Sequence, residues 1–185
     1  MRVHQVIGAI CGCLVGVSAF GQASLPTFYS GPWNGATLPS GWTQKGLGKD
    51  YSTNYDGEGG PAAKFDGSGD WLKISFSGKP ETVSYWAQGN SLSGDYTFKV
   101  QESANGSTWS DVVVYNTANP IPNNKPAQYT NSLLASSRYV QFIYVTKATG
   151  NVGLDGVHVK GPALPNIAFN PPGTTNAPVS NEFTM

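Results

Sequence analysis

Past residue 23 the chain has no cysteine, because both of its cysteines, Cys11 and Cys13, fall in the first segment. A domain without thiols has no disulfide staple, no thiolate metal site and no cysteine nucleophile. Histidine is almost as scarce: only His158, in "DGVHVK", lies past that segment, and alternation sets it opposite Val157 and Val159 at an exposed strand position. Charge is sparse too, at 12% of residues, with 11 basic and 11 acidic side chains and a formal net charge of +0. No global field draws the chain toward nucleic acid or an anionic membrane. Runs of Ala, Leu, Glu and Lys are few, and neither a helical period nor a fixed repeat survives counting, so helices have little to form from.

The motifs of several catalytic classes are missing as well. There is no G-x-S-x-G elbow, no H-E-x-x-H and no G-x-x-x-x-G-K-[ST] phosphate loop. Paired glycosidase carboxylates come from distant strands, so spacing is silent on them. The acidic residues Asp56, Glu58, Asp66, Asp70 and Asp111 fall mainly in turns, however. No catalytic residue is assigned, and an enzyme is not expected within these residues.

The opening "MRVHQVIGAICGCLVGVSAFGQA" has a basic Arg2, a glycine-broken apolar run from Val6 to Phe20 and a small-residue ending. This fits a secretory signal cut after Ala23, and the run is short for a membrane span, which needs roughly 20 apolar residues. The expected location is therefore secreted or extracellular, with no membrane span left after cleavage. Removing Arg2 leaves ten basic residues against eleven acidic, a net charge of −1.

What the chain does have is turn material and strand material: 23 glycines, 13 prolines and 12% aromatics. Alternating runs recur between turn signals at Gly41–Gly48, Ala62–Asp66, Trp71–Phe76, Glu81–Gln88, Asp95–Ser103, Asp111–Asn116, Ala127–Ser132, Arg138–Thr146 and Asn151–Lys160. Their spacing predicts an all-β fold, an antiparallel β-sandwich of about nine strands. Asn105-Gly106 marks a hairpin between the runs that end near Ser103 and begin near Trp109. "RYVQFIYVT" is apolar on both faces and reads as a central strand. The segment Ser24–Pro39, with Phe28, Tyr29 and Trp33, reads as an irregular leader with room for a short strand. The domain plan is thus residues 1–23 signal, 24–161 sandwich, and 162–185 a proline-rich linker, ending in the start of a further domain or in a disordered tail.

One stretch, "GDWLKISFSGKPETVSYWAQGN", puts Trp71 and Trp86 on the polar side of two alternating runs. If Ser77 to Pro80 makes a symmetric turn, Ile74 pairs with Val83, Leu72 with Tyr85 and Trp71 with Trp86. Two indoles would then stand side by side with Lys73 and Gln88, a platform suited to the apolar faces of sugar rings. If instead Gly78 and Pro80 mark a crossing between sheets, the tryptophans cover separate parts of the core edge or lie beneath the loop "YSTNYDGEGG". That loop carries a second candidate patch, Tyr51, Tyr55, Asp56 and Glu58. No cofactor is expected; a structural calcium ion on Asp66, Asp70 or Asp155 is the one candidate, with "DGSGD" lacking the spacing of a helix-loop-helix calcium loop.

The segments "LPSGWTQKGLG", "AAKFDGSGDWLKISFSGKPETVSYWAQGN", "VQESANGSTWSDV" and "SRYVQFIYVTKATGNVGLDGVHV" together resemble jelly-roll, galactose-binding-like β-sandwich modules of secreted multidomain bacterial proteins. The resemblance spans about Leu38 to Lys160. It implies a non-catalytic accessory module beside hydrolase, nuclease or adhesive domains, and it transfers no ligand residue. The family's last motif often carries two acids, whereas here it reads Asp155-Gly156. Trp109 reads as a core anchor after the hairpin, and Arg138 and Tyr139 as the start of the central strand.

The expectation is a secreted binding module, monomeric, whose partner is a polysaccharide or cell-surface glycan and not nucleic acid. A structural or adhesive spacer without a small ligand is the alternative. A further one is the accessory part of a secreted hydrolase or nuclease.

Overall fold

Wherever the sequence alternates, the chain forms a strand. The computed structural model describes residues 21–51, 55 and 57–162. The expected signal up to residue 20, Asp56, and the expected linker from residue 163 lie outside the described residues. The strands are β1 (Ala23–Ser24), β2 (Thr27–Tyr29), β3 (Trp42–Lys45), β4 (Asp50–Tyr51), β5 (Ala62–Phe65), β6 (Trp71–Ser77), β7 (Thr82–Ser93), β8 (Thr97–Ser103), β9 (Ser110–Tyr115), β10 (Ala127–Ser132), β11 (Tyr139–Thr146) and β12 (Thr149–Lys160). All nine expected runs are present. The three extra strands, β1, β2 and β4, are two or three residues long.

They form two six-stranded sheets. The first runs β1-β6-β11-β8-β9, with β3 also paired to β6; the second runs β10-β7-β12-β5-β4, with β2 also paired to β12. All pairs are antiparallel except β1 with β6. As its two apolar faces imply, β11 is central, between β6 and β8. The expected hairpin is also present, since β8 pairs with β9. Its loop is longer than a two-residue turn: Ser103 Oγ accepts the N–H groups of Asn105 and Gly106, and Asn105 Oδ1 accepts those of Ser107 and Thr108. Gly106 takes the positive φ, 74°.

The core lies between the sheets. Leu72, Ile74 and Phe76 of β6, Phe98 and Val100 of β8, and Val140, Phe142 and Tyr144 of β11 face Val83, Tyr85, Ala87, Ala63, Phe65, Val152, Leu154, Val157 and Val159 of the second sheet. Edge-to-face pairs cross the interface, Phe65 on Phe98 at 5.1 Å and Tyr85 on Phe142 at 5.0 Å. The Tyr85 hydroxyl would be costly to bury alone, and it shares a 2.7 Å hydrogen bond with Tyr115 Oη and donates to Asn131. Tyr29, Trp33 and Trp42 form a lateral cluster of edge-on and tilted rings. Ala23, placed at the end of the expected signal, is 4% exposed and paired with Phe76, so the folded unit includes it.

The topology corrects the symmetric pairing of "WLKISF" with "ETVSYWA". β6 and β7 belong to different sheets, and Gly78 to Glu81 carry the chain across. Gly78 has φ 89°, Pro80 is buried, and the Glu81 N–H bonds to the Lys160 carbonyl of the second sheet. Trp71 and Trp86 therefore do not stand side by side.

Candidate functional site

Each sheet has an outer face, and the two differ in what lies over them. On the first sheet the outward residues follow from register. Lys45 of β3 stands beside Trp71 of β6, then Ile143 of β11, then Lys99 of β8. The adjacent row is Thr43, Lys73, Gln141, Gln101 and Asp111. The next holds Ser75, Tyr139 and Ser103.

Across these rows runs a chain of rings and cations. The Lys73 ammonium lies 4.4 Å from the Trp71 ring centre and 5.5 Å from that of Trp109. Trp109 in turn meets Tyr139 edge-on at 6.4 Å. Trp109 is thus not the core anchor expected of it. The hairpin loop swings it onto the outer face, where it, Trp71, Lys73 and Tyr139 are all half-exposed. Beside the aromatic strip lies a polar ladder: Gln141 Nε2 donates to Gln101 Oε1, Gln101 Nε2 to Asp111 Oδ1, and Lys99 Nζ to Asp111 Oδ2 at 2.8 Å. The bonded Lys99 ammonium holds the Asp111 carboxyl below the usual carboxylate range, with Gln101 assisting against partial burial.

The outer face of the second sheet is partly roofed, with Trp86 and Tyr55 left half-exposed. Gly57 lies so close over the Trp86 indole that a Cβ on it would come within 2.0 Å of Trp86 Cγ. The roof is anchored from below by Asp155, fully buried, whose Oδ2 accepts the N–H groups of Gly57 and Glu58. Glu58 also bonds His158 Nε2 at 3.1 Å, and the His158 ring stacks on Phe28 at 4.0 Å. A bulge makes this possible: Gly156 takes φ 53° and the β12–β7 register slips between Asp155 and His158, so both side chains serve the outer face. Tyr55 stacks on Tyr51 at 4.0 Å over Gly153, and Tyr51 is itself buried, its hydroxyl accepting from Asn90 Nδ2.

The residues expected to bind ligand are therefore divided. Trp71 and Lys73 lie on the open face of the first sheet. Trp86 lies under Gly57 on the second and is half-exposed there, as is Tyr55, whereas Gln88 is 3% exposed and Tyr51 is buried.

The acids considered for calcium are scattered too. Asp70 Oδ2 accepts the N–H groups of Asp66 and Gly67 and closes the β5–β6 turn. On β12, Val152 faces Phe65, which leaves Asp155 four steps, or about 13 Å, from the position opposite Asp66. Among the described residues no three His, Cys, Asp or Glu side chains cluster as a metal site would require. A cleft of about 630 Å³ lies between Pro26, Phe28, Glu81, Thr82, His158 and Lys160 and also includes Pro162.

Trp109, Tyr139 and Lys45 were missed as site residues from sequence. The missing datum was that β6 pairs with β11 and β3 rather than with β7. Given that pairing, the wet alternates of β8 and the second apolar face of β11 would have placed Gln101 and Tyr139 beside Lys73.

No protein-family model matches the chain, and no curated protein is similar enough to match. Solved structures do share the fold. The K1 cleaved adhesin domain of Lys-gingipain from Porphyromonas gingivalis W83 superposes with a TM-score of 0.54 at 16% identity, over 74% of this chain and 99% of that one. The K2 domain of Lys-gingipain gives 0.51 at 15%, over 73% and 98%. A looser likeness, 0.49 at 15% over 76% and 96%, is to the CBM22-1 xylan-binding domain of Xyn10C from Paenibacillus barcinonensis. At these identities what is shared is the jelly-roll-like β-sandwich itself.

Proposed function

We propose that the chain is a non-catalytic binding module that works outside the cell and attaches a larger protein to a glycan through the outer face of its first sheet. The observation that carries this is the half-exposed strip Trp71, Trp109 and Tyr139, with Lys73 among the rings, on a sheet face that the described residues leave uncovered. Flat rings present area at low entropic cost to the apolar faces of sugars, and Thr43 and Gln101 beside them suit hydroxyls. The fold, shared with domains described as adhesins, is in keeping with attachment.

The carboxylates support a non-catalytic reading, because so many already serve the fold. Asp50 accepts the Trp33 and Asn34 N–H groups, Glu102 those of Leu134 and the Ser137 hydroxyl, Asp70 holds its turn, Asp155 the roof, and Asp111 the ladder. A catalytic acid or base needs a carboxylate turned toward a substrate.

A spacer is the second reading, favoured by one observation: Lys73 between two indoles also ties the β8–β9 loop to the sheet. Pull-down on insoluble polysaccharides separates the two. Trp71→Ala and Trp109→Ala, each checked for folding by circular dichroism, should lose retention if the strip binds. If no polysaccharide retains the native chain, the spacer reading stands.

A further inference from the structure

We infer that the ligand of this face is an acidic glycan, a polysaccharide whose sugars carry carboxylate or sulfate; the inference rests on reading that face as the binding surface. The whole chain is neutral, at +0, so any charge preference must be local. The outer face of the first sheet carries Lys45, Lys73 and Lys99 against Asp111. Lys99 and Asp111 cancel each other in a 2.8 Å ion pair.

Two lysines remain, and both are placed at Trp71, Lys73 by its ammonium and Lys45 by backbone register. Lys45 is the register partner of Trp71, and Lys73 lies over its face at 4.4 Å. Among the described residues neither forms an ion pair. Asp70, whose carboxylate lies against Gly46 next to Lys45, is 9% exposed and already accepts two backbone N–H groups.

A glycan stacked on Trp71 must therefore cover or crowd two cations. A neutral sugar would strip water from them without returning a countercharge, which disfavours binding. A sugar bearing an anionic group compensates this, with its ring on the indole and its charge between Lys45 and Lys73. The rings also hold the Lys73 ammonium near the stacking surface, so less side-chain entropy is lost on binding.

The test is titration of the full chain, by calorimetry, with polygalacturonate and alginate for carboxylate, carrageenan for sulfate, xylan and glucomannan as neutral glycans, and poly-glutamate as a polyanion without sugar. One or both acidic classes should bind, the difference between them naming the anionic group. Raising salt from about 0.05 to about 0.5 M should weaken binding roughly tenfold. Lys45→Gln, at an exposed position, should weaken it about as much as the salt does while leaving the melting temperature unchanged, and Lys73→Gln more. Neutral glycans bound as tightly, with no salt dependence, would overturn the acidic assignment and leave the binding module standing. Equal binding of poly-glutamate would reduce the face to a charge patch and overturn the glycan. Binding of nothing would sink both readings.

Discussion

Trp71 and Trp86 occupy the same kind of sequence position, the polar side of a cleanly alternating strand, and both are half-exposed, yet they meet different neighbours. Trp71 is on the open face of the first sheet with lysines on two sides; Trp86 lies beneath Gly57, its Nε1 buried. The cause is not in either strand. It is the pair Gly57 and Glu58, laid over the second sheet and pinned there by Asp155 and by the His158–Glu58 contact. Alternation reports which side of a sheet a residue is on, whereas exposure depends on what the loops do with that side. On this account one face is partly covered by the protein itself and the other by something else.

The largest effect should come from breaking what the faces share, the core between them. Burial pushes Tyr115 and Tyr144 up to about 12, and Tyr85 higher still, from a free value of 10.0. Below pH 10 both folded and unfolded chains keep these protons, and the stabilisation is complete. Between pH 10 and 12 the unfolded chain releases protons that the folded chain retains, so stability falls steadily as pH rises through that window. Absorbance at the tyrosinate band and far-ultraviolet circular dichroism should change together in that window. Full tyrosine ionisation with the fold intact would show the core to be wetter than described.

Next in size is loss of the roof alone. Asp155→Ala removes the acceptor of two backbone N–H groups from a fully buried position and should cost about 2–4 kcal/mol in denaturant unfolding, with Trp86 emission shifting to the red. Glycan binding at the first sheet should survive under conditions where the variant is folded. A loss of binding with the fold intact would place the ligand on the second sheet.

The two tryptophans themselves give a smaller contrast. Trp86→Ala removes a half-exposed ring packed against Gly57 and should cost about 2 kcal/mol, whereas Trp71→Ala, with no backbone packed over it, should cost about 1 kcal/mol or less. Equal costs in urea unfolding would erase the distinction between the faces.

Much of the architecture was legible from the sequence because alternation and turn chemistry are local. The Asn105-Gly106 hairpin, the two apolar faces of "RYVQFIYVT" and nine of the strands could all be read without partners. Strand pairing is not local. The tetrapeptide Ser77 to Pro80 serves equally as a tight turn or as a crossing, and only the second sheet's claim on Glu81 through the Lys160 carbonyl decides it. The same limit hid Trp109, whose alternation resembles a core anchor until the hairpin loop places it over Tyr139 and Lys73. It also hid Asp155, whose sequence setting suggested a metal ligand and whose partners, Gly57 and Glu58, lie nearly a hundred residues away.

The central claim, that the open face of the first sheet is the binding surface, can be read from five indole signals, one for each tryptophan of the chain. Nitrogen–proton correlation spectra of the full chain, recorded with and without a saturating acidic oligosaccharide, resolve Trp33, Trp42, Trp71, Trp86 and Trp109 once each is assigned by substitution. The account predicts that the Trp71 and Trp109 signals move while those of Trp33, Trp42 and Trp86 stay in place. Movement of Trp86 with Trp71 and Trp109 unchanged would contradict it.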